Sequence, residues 1–169
     1  QRQMCIRDRI QVYDAVELCN EACYMARMKN ETTGIQVRFY TETKSQPVRT
    51  DTARLTQMIL STLVYPYEYQ QDQKQERVIR FILSRKDEML HFQIINSPLA
   101  DTTFVSQETV IRHEINQLLL THFGGTYQIN TQTPEGPEIV FTYPIAILYM
   151  CIHHRIRIQY RFANRHCET

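Results

Sequence analysis

Apolar residues recur along the chain at two different spacings, and together they predict three helices and a set of strands. Residues 12–29 and 51–64 repeat apolar positions every three or four residues, which is the period of an amphipathic helix. We expect the second helix to bury Leu55 and Ile59, and Asp51 or Thr52 can cap its start. A third helical pattern covers residues 110–123 and ends at a Gly-Gly pair, a common C-terminal cap. Its predicted inner face is traced by Val110 or Ile111, Ile115, Leu118, Leu119 and His122.

Other segments alternate apolar and polar residues, which is the period of a strand with one buried face. Their apolar positions are Ile35, Val37 and Phe39; Ile79, Phe81 and Leu83; Leu90, Phe92 and Ile94; Tyr127 and Ile129; and Ile139, Phe141 and Tyr143. A charged run at 85–88 and a Thr-Pro-Glu-Gly-Pro turn at 133–137 predict two antiparallel hairpins. A short extended piece at Pro47 and Val48 leads into the second helix.

The predicted element order is helix, strand, short strand, helix, hairpin, helix, hairpin. A mixed, mostly antiparallel sheet with its helices collected on one face satisfies this order with short connections. The fold class is therefore predicted to be α+β, a two-layer sandwich with three helices on one face of the sheet.

Length and charge limit the functions that fit this fold. A chain of 169 residues with 43% hydrophobic composition can form one sizeable core and is short for two domains. Its 19 Lys and Arg nearly balance 18 Asp and Glu, so the chain has no basic footprint for nucleic acid or an acidic membrane. We therefore predict neither nucleic-acid binding nor membrane contact by this domain.

The cysteines and the ends of the chain indicate the compartment. Five cysteines is an odd number, and Cys19 and Cys23 share one helix face, which indicates reduced thiols and a reducing compartment. Residues 1–9 have no apolar run typical of a signal peptide, and the apolar window 139–152 is too short to span a bilayer. We predict a soluble, cytoplasmic domain.

The second helix carries a more specific pattern. It has Asp51, two residues, Arg-Leu, one residue, Gln, three largely aliphatic positions and then Ser61, with Tyr65 four residues later. This order resembles the asparagine-box helix of the histidine-kinase type ATPase domain, a fold shared with gyrase-like and Hsp-type chaperone ATPases. The family pattern is D-x-x-R-L-x-Q-h-h-h-N-L-h-x-N-A, and Ser61 and Tyr65 stand where it has its two asparagines.

The resemblance extends over residues 12–144. The predicted element order is that of the histidine-kinase ATPase domain, and the closing helix, Gly-Gly, strand, turn and final Tyr-Pro also resemble the family. The resemblance implies an ATP and magnesium site, an upstream dimerisation and phosphoacceptor segment, and a response regulator as partner. An unrelated two-layer α+β domain is the alternative, because element order recurs across unrelated folds.

The positions that carry the family's chemistry depart from its pattern. The second asparagine of the family helix holds magnesium, but Tyr65 is a poor magnesium ligand and Pro66 ends the helix there. The family's D-x-G motif aligns with Asn96 and Pro98; an Asn can accept a hydrogen bond from the adenine amino group, whereas a Pro ring stands where the base should pack.

The region of the phosphate-binding lid also departs from the family pattern. The family lid is rich in glycine, and residues 99–112 contain none. We therefore predict weak or absent binding of ATP and magnesium and assign no catalytic residue. His113-Glu114 resembles the start of the kinase phosphoacceptor box but lacks the Arg-Thr-Pro that follows it, and no Cys or His run has standard zinc spacing, so no metal site is predicted.

These observations divide the chain and leave three hypotheses. Residues 1–9 are predicted to be a non-native or disordered end, 10–145 the ATPase-like domain, and 146–169 a basic tail that is disordered or non-native. The first hypothesis is a signalling module of a two-component sensor, with a degraded ATP site and without catalysis. The second is a divergent but active ATP-dependent protein-histidine kinase, and the third is an unrelated α+β binding module.

Overall fold

Three α-helices and seven β-strands form within residues 10–64, 77–100 and 106–146, the parts of the chain that the computed structural model describes. The helices are α1 (Ala15–Lys29), α2 (Thr52–Leu63) and α3 (Gln107–Phe123). The strands are β1 (Ile10–Asp14), β2 (Ile35–Thr41), β3 (Pro47–Asp51), β4 (Arg77–Lys86), β5 (Met89–Ile95), β6 (Tyr127–Asn130) and β7 (Glu138–Pro144). Short 3-10 turns occur at Glu31–Thr33 and Pro98–Ala100.

The main sheet has five strands in the order β2-β4-β5-β7-β6. β2 and β4 pair in parallel, and the other neighbours pair antiparallel, with Phe92 opposite Phe141 at the centre of the sheet. The predicted mixed, mostly antiparallel sheet is confirmed. β1 and β3 form a separate two-stranded antiparallel ribbon, which the sequence indicated only as a short extended piece before α2.

One face of the main sheet meets the helices in a single core. Alternate residues of β2, β4, β5 and β7 point into it, and the Phe92 and Phe141 rings stack there with centroids 4.5 Å apart. Leu55 and Ile59 of α2 are buried in the same core, at 1% and 0% exposure. The two-layer α+β class with three helices on one face is thus confirmed, together with the predicted burial of both residues.

The start of α1 corrects the prediction for residues 12–29. Val12 was placed on the apolar face of this helix, but it lies in β1 opposite Arg49 and is 70% exposed. The helix begins only after Asp14, whose extended backbone and carboxylate provide the N-cap; the Val16 N–H donates to Asp14 Oδ1 at 2.8 Å. Pairing with β3 therefore overrides the helical period at the first three residues.

The third helix is where it was predicted, but it faces the core differently. Its apolar residues Ile111, Ile115 and Leu118 lie on the exposed side of the helix. The buried positions are Thr109, Asn116, Leu120 and Phe123, so half of the buried face is polar. The apolar period of α3 therefore predicts the wrong buried face for this helix.

The Gly-Gly cap of α3 fixes where the chain turns into β6. Gly124 adopts a left-handed conformation with φ +85°, and the Gly125 N–H donates to the Leu120 carbonyl at 2.7 Å. A Cβ at residue 125 would stand 2.1 Å from the backbone oxygen of Thr142 in β7. The glycine pair therefore allows both the turn and its close approach to the sheet.

No helix in the described ranges has the length and apolar character needed to cross a membrane.

Candidate functional site between helices α2 and α3

A cavity of about 370 Å³ lies between α2 and α3, beside the end of α1. Its polar lining includes three cationic side chains, Lys29, Arg54 and Arg112, which come from the three helices in turn. Ser61 of α2 and Asn116 of α3 also line it. Among the described residues no carboxylate contributes to the lining, so the cavity favours anionic over cationic groups.

Acidic residues outside the lining partly offset these cations. Arg54 lies 3.4 Å from the carboxylate of Asp51, the buried N-cap of α2, and Arg112 pairs with Glu108 one turn earlier on α3. The Asp51 Oδ2 atom is buried without a well-directed hydrogen bond, so its link to Arg54 is an ion pair through charge alone. Lys29 has no ion-pair partner among the described residues.

Ser61 is engaged by the protein itself. Its hydroxyl donates to the Met58 carbonyl at 2.7 Å, one turn back along α2. Its oxygen accepts a hydrogen bond from Asn116 Nδ2 at 3.0 Å, which crosses from α3 to α2. The two helices are therefore joined directly, side chain to side chain, at the Ser61 position.

Tyr127 and His113 make a further polar contact beside Asn116. The Tyr127 hydroxyl of β6 lies 2.8 Å from Nδ1 of His113, with the Asn116 side chain nearby. The other ring nitrogen of His113, Nε2, is 2.9 Å from the Leu99 carbonyl in the turn after β5. Burial raises the pKa of Tyr127 to about 12 and lowers the pKa of His113, so both groups are neutral near pH 7.

The turn after β5 packs straight onto α2. The buried Ser97 hydroxyl donates to the Thr62 carbonyl at 2.9 Å, near the C-terminal end of α2. Pro98, Leu99 and Ala100 follow as a buried 3-10 turn. The turn that follows β5 is thus in direct contact with α2.

Asn96 faces away from this contact. It adopts a left-handed conformation, with φ +61°, and its Nδ2 donates to the Val78 carbonyl of β4 at 3.1 Å. Its Oδ1 lies so close to Gly136 that a Cβ there would be 2.0 Å away. The Asn96 side chain therefore links the end of β5 to β4 by a hydrogen bond and lies against the turn between β6 and β7.

Solved structures of histidine kinases share this architecture. The nucleotide-free catalytic domain of histidine kinase ThkA superposes with a TM-score of 0.63 at 14% identity, covering 81% of this chain and 96% of that one. This chain has the fold of the histidine-kinase catalytic domain. The sequence matches no family model, and no curated protein is significantly similar to it.

Two further histidine kinases show the same relationship. A histidine kinase from Burkholderia phymatum gives a TM-score of 0.63 at 10% identity, covering 81% of this chain and 71% of that one. Full-length ShkA, solved in complex with AMPPNP, gives 0.63 at 17% identity, with 82% of this chain matching 31% of that one. Identities this low show the histidine-kinase fold alone.

The described part of the structure places three of the four residues that the sequence grouped into one site. Ser61 lines the cavity, whereas Asn96 and Pro98 belong to the β5 end and its buried turn. Tyr65 lies outside the described residues, as do 101–105 of the lid region. Sequence reasoning missed Asn116 and Tyr127, although Thr109, Asn116, Leu120 and Phe123 recur at helical spacing and signal a buried face.

Proposed function

We propose that this chain is the ATPase-like domain of a two-component sensor histidine kinase, with a degraded nucleotide site, and that it acts in signal transduction without catalysis. The observation that carries the proposal is the Asn116 to Ser61 hydrogen bond, which joins α3 to α2 at the first asparagine position of the resembled motif. A nucleotide entering there has to break this contact.

The magnesium side of the site supports the proposal. Magnesium usually takes oxygen ligands from one or two carboxylates together with the phosphates of its nucleotide. The cavity lining offers no carboxylate among the described residues, and Ser61 already donates to one group and accepts from another. Within the same ranges, no group of three or more His, Cys, Asp or Glu is placed to hold a metal. The described lining therefore offers a magnesium ion no carboxylate, which supports weak or absent magnesium binding.

The base side of the site supports it in the same way. By resemblance, Asn96 should accept from an adenine amino group, and position 98 should leave room for the ring. Asn96 donates its amide to β4, and Pro98 lies in a buried turn that Ser97 holds against α2. An adenine that packs at position 98 would have to displace these contacts.

Partners and compartment follow from the same proposal. We infer an upstream dimerisation and phosphoacceptor segment, a sensor region of the same protein, and a response regulator. The solved complex of histidine kinase ThkA with the response regulator TrrA, which this chain matches at a TM-score of 0.60 and 14% identity, supports that class of partner. The proposed location is the cytoplasmic part of a sensor.

One observation favours a second candidate, a divergent but active ATP-dependent histidine kinase. Three cations and no carboxylate line the cavity in the described part of the chain, and such a lining attracts phosphates. This candidate requires the Asn116 to Ser61 bond to open when nucleotide arrives.

Isothermal titration calorimetry with ATP, with and without magnesium, separates the two candidates. Losing one charge-assisted contact of about 1.5–3 kcal/mol weakens binding by roughly ten- to a hundredfold, and here three groups of contacts are lost together. We expect no magnesium-dependent heat at millimolar nucleotide, and no gain from Tyr65→Asn alone, since Pro98 and the lid stay unchanged. Micromolar, magnesium-dependent affinity in a sample shown to be folded would replace this proposal with the divergent kinase.

A further inference from the structure

Two sets of polar contacts hold α3, and one of them contains a titratable group. His113 lies between the Leu99 carbonyl and the Tyr127 hydroxyl, and Asn116 on the same helix donates to Ser61. His113 is half-buried, and both of its ring nitrogens are engaged. Together these contacts tie α3 to three other elements: the turn after β5, strand β6 and helix α2.

The direction of every hydrogen bond follows from the groups present. The Leu99 carbonyl can only accept, so Nε2 of His113 carries the proton and, in a neutral ring, Nδ1 accepts from the Tyr127 hydroxyl. The Asn116 amide, on the same helix, donates to Ser61. With a neutral imidazole, each of these protons has an acceptor.

Protonation of the imidazole disrupts these hydrogen bonds at one point, between His113 and Tyr127. Nδ1 then carries a proton directed at the Tyr127 oxygen, so the tyrosine can no longer donate to it. The phenol proton must turn away from the ring, in a place where the tyrosine side chain is already partly buried. A buried donor left without an acceptor is unfavourable, so the link between α3 and β6 weakens.

We propose that His113 is a proton-operated latch: neutral, it holds α3 against β6 and the turn after β5, and protonated, it loosens α3 and the cavity between α2 and α3. This deepens the proposed function, on which its role in signalling rests. The geometry of the latch stands without it.

The surroundings of His113 agree with a latch that is closed near neutral pH. Burial lowers its pKa, and the Leu99 carbonyl opposes this only in part. Among the described residues, Tyr127 is the titratable group that faces His113 from a neighbouring element. Arg112 and Glu114 flank His113 on α3, and Arg112 is paired with Glu108. The turn residues Pro98, Leu99 and Ala100 and the α2 residue Ser61 carry no charge.

The sign of the pH effect follows from the lowered pKa. An unfolded or loosened histidine takes up its proton first as the pH falls, so the closed form is fully stable above the ordinary histidine pKa of about 6.5. Its stability then decreases as the pH falls toward the lower pKa of the closed form.

Hydrogen exchange of the α3 amides in the full chain, corrected for intrinsic exchange rates, tests this at about pH 7.5 and about pH 5. We expect wild-type α3 to lose protection at the lower pH. His113→Gln keeps a donor and an acceptor but cannot be protonated, so its protection should change little. His122→Gln, an exposed histidine in the last turn of the same helix, is the matched control and should behave as wild type.

A second measurement does not depend on a variant that folds. Nitrogen-15 NMR of the wild-type imidazoles should show His113 with its proton on Nε2 and with a pKa below the ordinary histidine value of about 6.5. A proton on Nδ1, or a pH response of α3 that is equal in wild type and His113→Gln, overturns the latch. Neither result bears on nucleotide binding, which calorimetry measures separately.

Discussion

Replacing Leu55 by Ala tests whether α2 anchors the core as the structure describes. Leu55 lies on the inner face of α2 and is 1% exposed, so the substitution removes a fully buried side chain. Leu and Ala are both strong helix formers, so helix propensity contributes little to the change. The free energy of unfolding then reports core packing alone.

The expected magnitude has two parts. Removing three carbon atoms at about 0.8 kcal/mol for each buried methylene gives roughly 2.4 kcal/mol of lost transfer free energy. The remaining cavity raises the loss into the range of about 2–5 kcal/mol measured for such truncations. The final value depends on how far the surrounding core can collapse into the cavity.

Urea denaturation measures this free energy, and an unchanged m-value shows that both variants unfold over the same surface. Leu118→Ala is the matched control, because it makes the same chemical change on α3 at a residue that is 71% exposed. We expect the control to change stability by less than about 0.5 kcal/mol. Equal losses in both variants, or a loss below about 0.5 kcal/mol for Leu55→Ala, would refute the placement of α2.

Two other predictions follow from the fold. Gly125→Ala should lower the free energy of unfolding by about 2–3 kcal/mol, because its Cβ would meet the Thr142 backbone oxygen at 2.1 Å. Gly34→Ala has open space and should lose only about 1 kcal/mol, for its left-handed backbone. Urea denaturation of both variants checks this order, and a reversed order contradicts it. Cys19 and Cys23 are buried, and burial raises the pKa of Cys23 to about 12. Both thiols should therefore resist alkylation in the native protein at neutral pH and react after unfolding. Rapid labelling of the native protein, seen in a peptide map, would contradict this.

Much of the fold was accessible from local patterns. α2 was predicted closely because its apolar stripe, its Asp51 cap and its buried face all agree. The hairpin of β4 and β5 was predicted because both strands alternate cleanly around a charged turn. Each of these elements satisfies its local preference and its tertiary contacts together.

The start of α1 and the face of α3 were missed because tertiary contacts decided them. Val12 has a helical period with its neighbours, but strand pairing with β3 takes its backbone. Asn116 is polar and buried, and its amide donates to Ser61 there. Ser61 lies far from it in sequence, so no local pattern shows the contact.

The site was only partly accessible for the same reason. The resemblance marked Ser61, Tyr65, Asn96 and Pro98 as positions to inspect, and the structure adds what their neighbours do. Ser61 is bonded across the cavity to α3, and Asn96 is bonded to β4. These contacts, which involve residues far apart in the chain, give the degraded-site proposal its physical basis.

An NMR titration of the amide-labelled chain with ATP, with and without magnesium, tests the proposed loss of nucleotide binding residue by residue. We predict that the backbone signals of Ser61 and Leu99 and the side-chain amide of Asn116 stay in place at millimolar nucleotide, because their hydrogen bonds within the protein persist. Saturable, magnesium-dependent shifts at Ser61 and Asn116 would show that nucleotide opens the α2 to α3 contact, and would contradict a degraded site.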